Sequence, residues 1–229
     1  MEGINSVYLS FDLDWVNDQV LSHTLDLLEE YNFKATFFAT HESSLLKSLD
    51  KDKFEIGLHP NFETDLGKYD TNKLNELKKI YPEANGMRSH TLFFSSRLLP
   101  VLKNMHLKYE SNIFLLRHPH LEVVNRTEDI KSIPFNWSDD KHLELGCSHD
   151  ITTFPNIHKL GINVFNFHPI HVFLNTADQD HYFSSKDNFN KPELKNHINN
   201  GVGIKSLMIE LFEYLKDSNV ETKRMVDAL

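Results

Sequence analysis

Short apolar runs alternate with segments of helical periodicity through the first half of the chain. The apolar runs have the length and composition of strands and cover residues 7–11, 35–38 and 54–58, and residues 86–90 are predicted to form a further short strand. The segments between and after them repeat apolar positions every three or four residues, which predicts helices over residues 20–31, 44–49, 71–80 and 95–105. Ser95 is the expected N-cap of the last helix. This alternation is typical of α/β proteins in which helices cover a parallel sheet.

The pattern weakens in the second half of the chain. Residues 163–167 (NVFNF) predict one more clear strand, and residues 130–135 are a weaker candidate. Residues 175–200 are polar and rich in Asn and Asp, so we expect an exposed loop or insertion there, followed by an amphipathic helix at residues 203–216. Because no repeat or linker interrupts the chain, we expect a single domain over residues 1–229.

Composition is that of an ordinary globular protein, with 40% hydrophobic and 25% charged residues. No apolar run approaches the roughly 20 residues that span a bilayer, and the chain begins without the basic start and apolar core of a signal peptide. The single cysteine, Cys147, excludes an internal disulfide and favours the reducing cytoplasm. The net charge is −9 and no run of basic residues occurs, so the sequence gives no indication of a nucleic-acid-binding surface.

The chain contains 14 histidines, which is an unusually high number, and a single cysteine. A metal site would use imidazole and carboxylate ligands, which suit a catalytic divalent ion better than a structural zinc ion. Several histidines and charged residues lie at or just beyond the carboxyl ends of predicted strands, where parallel α/β sheets bind ligands. These residues are Asp12 and Asp14, His59, Arg88 and His90, and His168 and His171.

The spacing of these residues predicts which of their side chains point in the same direction. In an extended backbone, Asp12 and Asp14 point to one side, and so do Arg88 and His90. Paired carboxylates attract a cation, and an arginine can hold a neighbouring carboxylate in place. Each motif also has an ordinary structural explanation: a turn or N-cap for the aspartates, an ion pair for the arginine, and a core or surface position for the histidines.

Other polar clusters lack a clear strand before them, so we expect most of them in loops. They are His118 with His120, His149 with Asp150, and Asp139 with Asp140. For the last pair we expect a solvated acidic turn. A pocket wall that includes Trp137 is the alternative for that NWSDD segment.

The order of the strand-end motifs resembles that of the polysaccharide deacetylase family of metal-dependent carbohydrate esterases. SFDLDW (10–15) is similar to the family's first strand with its paired aspartates, and FKATFFAT (33–40) to its helix-to-strand segment. The resemblance covers roughly residues 7–175 and is nearest to the branch associated with surface-polysaccharide or O-antigen loci. It implies a distorted (β/α) barrel with fewer than eight strands. The remaining motifs that resemble the family are EIGLHP (55–60), GMRSH (86–90) and NFHPIH (166–171).

The resemblance also implies roles for individual residues. Asp12 would be the catalytic base, Arg88 would orient it, and His168 would assist the leaving group. Asp14 and His59 would bind the metal. The implied cofactor is a divalent ion, zinc in the first place, with cobalt, nickel and manganese as alternatives.

Two positions depart from the family pattern. Glu63 stands where a second metal-binding histidine is usual, and His90 stands where a proline is usual. The interpretation that we favour is that His90 supplies the third ligand, with Glu63 next, since zinc accepts carboxylate oxygen, and His171 as a further alternative. Loss of the metal site would instead leave a glycan-binding protein without catalysis.

The implied reaction is hydrolytic removal of an acetyl group, with an N-acetylated sugar or surface-polysaccharide precursor as substrate. The aromatic candidates for sugar stacking are Phe93, Phe94, Tyr109 and Trp137. A different hydrolase class competes, because residues 12–16 (DLDWV) fit the D-x-D-x-[TV] pattern of phosphatases with an aspartate nucleophile. That hypothesis leaves the EIGLHP and NFHPIH motifs unexplained.

Overall fold

The computed structural model describes residues 5–63, 70–189 and 191–229. The strands are β1 (Asn5–Asp12), β2 (Ala35–Ala39), β3 (Phe54–Leu58), β4 (Gly86–Met87), β5 (Tyr109–Glu110), β6 (Val124–Asn125), β7 (Lys131–Ser132), β8 (Trp137–Ser138), β9 (Gly161–Phe167) and β10 (Thr222–Lys223). The helices are α1 (Asp18–Tyr31), α2 (Ser44–Lys47), α3 (Asn72–Ile80), α4 (Leu98–Asn104), α5 (Asp139–Glu144), α6 (Pro169–Leu174), α7 (Gln179–Ser185) and α8 (Ile204–Asp217).

All these strands belong to one sheet, whose order is β6-β7-β5-β4-β3-β2-β1-β9-β8. Every pair is parallel except β6 with β7, and β10 pairs in parallel with the first half of β1. The sheet curls into the expected distorted (β/α) barrel. The strand count is a correction: ten strands form in the described residues, against the fewer than eight expected. Six of the ten are only two residues long, too short to leave an apolar run in the sequence.

Strand residues alternate between the two faces of the sheet. On β1, alternate residues from Val7 to Phe11 pack with the helices in the main core, while Tyr8, Ser10 and Asp12 face the barrel interior. Polar residues therefore occupy the inner face at the carboxyl end of the strand. Farther inside, the interior is filled by a second apolar cluster of Tyr8, Phe38, Tyr109, Ile133, Phe135, Val164 and Met225.

Most predicted elements form where they were expected. Strands β1, β2, β3 and β9 and helices α1, α2, α3 and α8 match their predicted ranges to within two residues at each end. The helix expected from Ser95 is wrong at its start, because α4 begins at Leu98. Ser95 instead closes a turn before the helix: its hydroxyl accepts from Arg97 N–H at 3.3 Å and its carbonyl from Leu98 N–H at 2.9 Å.

The segment at residues 175–200, for which an exposed loop or insertion was expected, contains α7 and a 3-10 turn at Pro192–His197. Leu194 of that turn is buried in the main core. Asn175 begins the segment in a left-handed conformation that ends α6. Among the described helices, none combines the length and apolar character that a bilayer crossing demands.

Candidate active site

A cleft of about 190 Å³ opens where several strands of the sheet end. Parallel strands deliver the residues that follow them to the same edge of a sheet. The cleft is therefore lined by residues far apart in the chain. Five of the predicted strand-end residues line it, namely Asp12, Asp14, His59, His90 and His168. Asp140, for which a pocket wall was the alternative expectation, lines it as well.

Asp14, His59 and His90 form a compact group in the cleft. Asp14 Oδ1 lies 3.2 Å from His59 Nε2 and 3.2 Å from His90 Nδ1. One ligand atom from each residue lies within 4.8 Å of the other two. His59 Nδ1 donates to the backbone carbonyl of Arg88 at 2.7 Å, so Nε2 is the nitrogen that faces Asp14. A second hydrogen bond of this kind is what orients histidine ligands in metal sites.

The Asp14 carboxylate is incompletely satisfied by the protein. Its Oδ1 atom is buried and has no hydrogen-bond partner among the described residues. Burial alone would raise the pKa of Asp14, but the imidazoles of His59 and His90 and the charge of His168 bring it well below its usual value. A charged oxygen that faces two imidazole nitrogens is a donor set that fits a divalent cation.

Arg88 is fully buried and holds Asp12 from the other side. Its Nη1 donates to Asp12 Oδ1 at 3.1 Å, to Ser10 Oγ at 3.0 Å and to Asn166 Oδ1. Its Nε and Nη2 donate to the carbonyl and hydroxyl oxygens of Ser111 at 3.1 and 3.0 Å. Asp12 Oδ2 accepts from Asn166 Nδ2 at 2.9 Å. Both oxygens of Asp12 are thus fixed at the edge of the cleft.

Two aromatic rings enclose the Arg88 guanidinium. Its carbon lies 4.5 Å from the centroid of Phe38 and 4.4 Å from that of Phe135, so both ring faces stabilise the charge. The Phe38 ring needs a glycine beside it, because a Cβ on Gly57 would lie 2.6 Å from the ring. Packing and hydrogen bonds together hold this buried cation in one position.

His168 reaches the cleft from the end of β9. Its Nδ1 donates to Asp139 Oδ1 at 2.6 Å, and its backbone N–H donates to Asp139 Oδ2 at 2.7 Å. Its Nε2 faces the cleft, 3.7 Å from Asp14 Oδ2. Burial disfavours the imidazolium, but Asp139 and Asp14 raise the pKa of His168 well above its usual value. The ring is therefore placed to carry a proton into the cleft.

The backbone conformation after β1 directs the side chains of Asp12 and Asp14 towards different residues. Strand β1 ends at Asp12, and both Asp14 and Trp15 adopt left-handed conformations with φ of 41° and 60°. The expected extended backbone through Asp14 is therefore wrong. The turn directs Asp14 towards His59 and His90, while Asp12 stays on the inner face of the sheet.

Arg88 and His90 do share an extended segment, as expected. Although β4 ends before Arg88, the parallel ladder continues: Arg88 N–H donates to Leu58 O at 2.9 Å and His90 N–H to Pro60 O at 3.0 Å. A 3-10 turn begins at His90, and Thr91 within it is left-handed. The extended segment is just long enough to bring His90 to the cleft.

Glu63 does not join the group around Asp14. It is exposed, and its Oε1 accepts a hydrogen bond from Thr91 Oγ1 at 3.4 Å. Among the described residues, His90 is the side chain that lies with Asp14 and His59 within ligand distance. The geometry therefore favours His90 over Glu63 as a third ligand, and its role as a ligand stays a prediction.

His171 lies deeper in the protein than the Asp14 group. It is buried, and with Asp139 and His168 it forms a second set of potential ligand atoms within 4.8 Å of one another. Its Nδ1 lies 3.1 Å from Thr176 Oγ1. Burial lowers the pKa of His171, so the neutral ring packs behind the His168–Asp139 pair.

The aromatic residues expected to stack on a sugar are largely enclosed by protein. Tyr109 and Trp137 are 0% and 1% exposed, and Phe93 and Phe94 pack partly buried against the main core. Trp15, which no sequence pattern singled out, is 43% exposed. The aromatic residues that line the cleft are Phe114 and Phe135, which also differ from those expected.

Three residues hold the site together without having been assigned to it from the sequence: Asp139, for which a solvated turn was favoured over a pocket wall, Asn166 and Ser111. Asp139 was expected in a solvated turn but is 0% exposed. It follows the two-residue strand β8, so no apolar run marked it as a strand-end residue. Asn166 had a visible signal, since it is a polar residue that interrupts the apolar run of the last predicted strand, NVFNF. Elsewhere, His118 and His120 are exposed, as expected for loop residues.

The sequence matches the family model described as WbmS-like polysaccharide deacetylase over residues 9–186. The structure is similar to that of a protein from Bordetella bronchiseptica described as a polysaccharide deacetylase involved in O-antigen biosynthesis. The two sequences are 30% identical, the match covers 93% of this chain and 91% of that chain, and the TM-score is 0.85.

Two other solved structures share the fold at lower identity. The Bc1960 peptidoglycan N-acetylglucosamine deacetylase is 14% identical with a TM-score of 0.55, over 99% of this chain and 90% of that chain. A 4-alpha-glucanotransferase from Thermococcus litoralis is 12% identical with a TM-score of 0.55, over 98% of this chain and 38% of that chain. These two likenesses concern the fold alone. No curated protein matches this sequence significantly.

Proposed function

Because this chain belongs to the WbmS-like polysaccharide deacetylase family, we propose that it is a metal-dependent hydrolase that removes an N-acetyl group from a sugar of a polysaccharide or its precursor. One observation carries this proposal. A single cleft combines a candidate metal group, Asp14 with two histidines, with a fixed carboxylate, Asp12, and an imidazole, His168, that is oriented by Asp139.

Asp14, His59 and His90 would hold the divalent ion, for which zinc fits the nitrogen and oxygen ligands. When bound, such an ion lowers the pKa of water towards neutrality and polarises a carbonyl group. His59 is prepared for this role because its Nδ1 already donates to a carbonyl group, which leaves Nε2 free.

Asp12 is the proposed general base. It lines the cleft, and its neighbours Arg88 and Asn166 hold both carboxylate oxygens in fixed orientation. A fixed base removes a proton from an attacking water molecule without first having to reorient, which is the main advantage of a positioned catalytic group. Arg88 acts through Asp12 and is a positioning residue.

His168 is the proposed general acid for the departing amine. Asp139 accepts from its Nδ1, so Nε2 is the nitrogen that faces the cleft. The same contact favours the protonated ring, which must give its proton as the C–N bond breaks. Asp139 thus fixes both the orientation and the charge of the acid.

The test is acetate release from a panel of N-acetylated oligosaccharides, with and without a chelator. We expect release that stops on chelation and returns when zinc, cobalt, nickel or manganese is supplied. Asp12→Asn should lower kcat by about 10²- to 10⁴-fold while the purified variant keeps its metal. The proposal fails if no acetate is released with any of these ions and the purified protein holds no metal.

Two alternatives predict different outcomes of the same assays. A non-catalytic glycan-binding protein would bind the oligosaccharides without releasing acetate, and Asp12→Asn would leave that binding unchanged. A phosphatase with an Asp12 nucleophile would release phosphate from a generic ester with magnesium. The family match and the two hydrogen bonds that His168 donates to Asp139 favour neither alternative.

A further inference from the structure

A second group of potential metal ligands lies behind the wall of the cleft. It consists of Asp139, His168 and His171, each of which offers a ligand atom within 4.8 Å of the other two. The three residues are buried, with exposed fractions of 0%, 9% and 4%. None of them belongs to the Asp14 group, yet His168 lines the cleft and is the proposed general acid. An ion bound to this second group would therefore act on the reaction through His168.

His171 brings an available ring nitrogen to this group. Its Nδ1 lies 3.1 Å from Thr176 Oγ1, and no described residue hydrogen-bonds to its Nε2. The Thr176 N–H also donates to the His171 carbonyl at 3.0 Å, so the same threonine holds both the backbone and the ring. A buried imidazole nitrogen without a partner is unusual, and imidazole is the commonest metal ligand in proteins. His171 thus contributes a ligand atom that the fold leaves unused.

The contact between His168 and Asp139 makes this group a weaker metal site than the Asp14 group. His168 Nδ1 and Asp139 Oδ1 lie 2.6 Å apart and share a hydrogen. Bonds of about 2.0–2.2 Å to a tetrahedral zinc ion place ligand atoms about 3.3 Å apart. An ion must therefore replace that hydrogen and separate the two atoms by roughly 0.7 Å. Asp14 Oδ1 has no hydrogen bond to give up, so we expect the Asp14 group to bind zinc at least on the order of 100-fold more tightly.

We propose that Asp139, His168 and His171 form an inhibitory site for a second zinc ion. One ion enters and binds His168 Nδ1, the Nδ1–H bond breaks, and one proton leaves to solvent. The ring keeps the hydrogen on Nε2, but it is then a neutral ligand rather than an imidazolium, and it no longer serves as an acid for the departing amine. The inhibition rests on the proposed function of His168, whereas the binding of the ion does not.

Binding of the second ion is measured without substrate. Protein freed of metal is titrated with zinc by calorimetry, and the bound ions are counted after equilibrium dialysis. We expect two ions for the wild type, the second on the order of 100-fold weaker than the first. His171→Phe should bind only the tight ion, and Asp14→Asn only the weak one. His118→Phe, at an exposed loop position, is the matched control and should bind both.

Retention of the tight ion shows that His171→Phe is folded. His171→Gln, which keeps a polar group beside Thr176, is the second variant in case phenylalanine is not accepted at this buried position.

The effect on the reaction is measured as acetate release from N-acetylated chitotetraose at increasing zinc concentration. Wild type and His118→Phe should be active with one bound ion and lose activity by about 10²-fold or more as the second ion binds, since general acids contribute about 10²- to 10⁴-fold. His171→Phe should release acetate within a few-fold of the wild-type rate with one ion and resist the excess. Magnesium in place of the excess zinc should not inhibit, because it prefers oxygen ligands.

Four results would overturn the inference. If the wild type binds a single zinc ion, the second site does not exist. If His171→Phe and His171→Gln still bind two ions, or are still inhibited, the weak ion lies elsewhere. If two ions bind and acetate release does not fall, the second site is not inhibitory. If no acetate is released with one ion, the proposed function fails and the inhibitory role fails with it, while the ion count still shows whether the second site exists.

Discussion

The surroundings of Arg88 and of Asp14 differ in how completely their polar atoms are hydrogen-bonded. All three guanidinium nitrogens of Arg88 donate to buried acceptors. Asp14 Oδ1 is buried and faces two imidazoles, but it has no hydrogen-bond partner among the described residues. The two regions share the same cleft. Folding alone satisfies the Arg88 region. The Asp14 region is arranged for something the chain does not supply, and its donor set suits a cation.

Asp12 lies between the two regions. It is held by Arg88 and Asn166 on one side, and its Oδ1 is 3.9 Å from His59 Nδ1 on the other. The rigid region therefore sets where the candidate base lies relative to the candidate metal ligands. We expect substitutions in the Arg88 region to change folding stability, and substitutions in the Asp14 region to change metal binding.

The largest effect is expected from Arg88→Met. The change removes the charge paired with Asp12 and leaves that carboxylate buried without its partner, which typically costs about 3–5 kcal/mol. Urea unfolding at pH 7 in chelator measures it. The control is Arg117→Met at an exposed position, which should change the free energy of unfolding by less than about 0.5 kcal/mol. Equal urea midpoints for wild type and Arg88→Met would show that the Arg88 region does not contribute to folding stability as expected.

Metal binding should stabilise the folded protein. At an ion concentration of about 100 times Kd, the free energy of unfolding rises by about 2.7 kcal/mol, which for a chain of this size raises Tm by roughly 5–10 °C. Calorimetry with and without zinc tests this. Asp14→Asn should abolish the shift, and Asp187→Asn, at an exposed carboxylate, should retain it. A shift that survives Asp14→Asn would place the ion elsewhere.

The third ligand can be identified by metal affinity. His90→Ala should weaken binding by at least about 100-fold, since even residues that only support a ligand contribute about 10- to 100-fold. Glu63→Ala should leave the affinity nearly unchanged, because Glu63 lies outside the Asp14 group. Competition with a chromophoric chelator measures both. The opposite ranking would make Glu63 the ligand.

The smallest effect is a contrast in pH dependence between two buried histidines. Asp139 and Asp14 raise the pKa of His168 against the effect of burial, whereas burial and then His149 lower the pKa of His142 to about 4. His168 therefore stabilises the fold below about pH 6.5, and this contribution is lost as the pH rises through its folded pKa. His142 contributes above about pH 6.5 and loses its contribution as the pH falls towards 4.

The measurement is the free energy of unfolding of metal-free protein between about pH 4 and pH 9. The difference between wild type and His142→Phe should grow as the pH rises from about 4 to 6.5. The difference between wild type and His168→Phe should shrink as the pH rises above 6.5. Parallel curves for both variants would show that the two rings do not differ in this way.

The candidate site could be anticipated wherever a long strand precedes it. Asp12 ends β1, and His59 and His168 follow β3 and β9. The apolar runs of these three strands were visible in the sequence, so the convergence of the three side chains was predictable. Asp139 follows a two-residue strand that pairs with β9. The sequence around Asp139 suggested a solvated turn. Only the pairing of its strand with β9 shows that Asp139 is buried.

The sequence by itself determined which segments become long strands and helices, because periodicity is a local property of neighbouring residues. It also determined that ionisable side chains end those strands. Only the tertiary structure decided that His90 rather than Glu63 lies beside Asp14, that Asp139 pairs with His168, and that Trp15 stays exposed. These outcomes depend on turns and contacts enforced by segments far apart in the chain, and no local pattern records the distances between them.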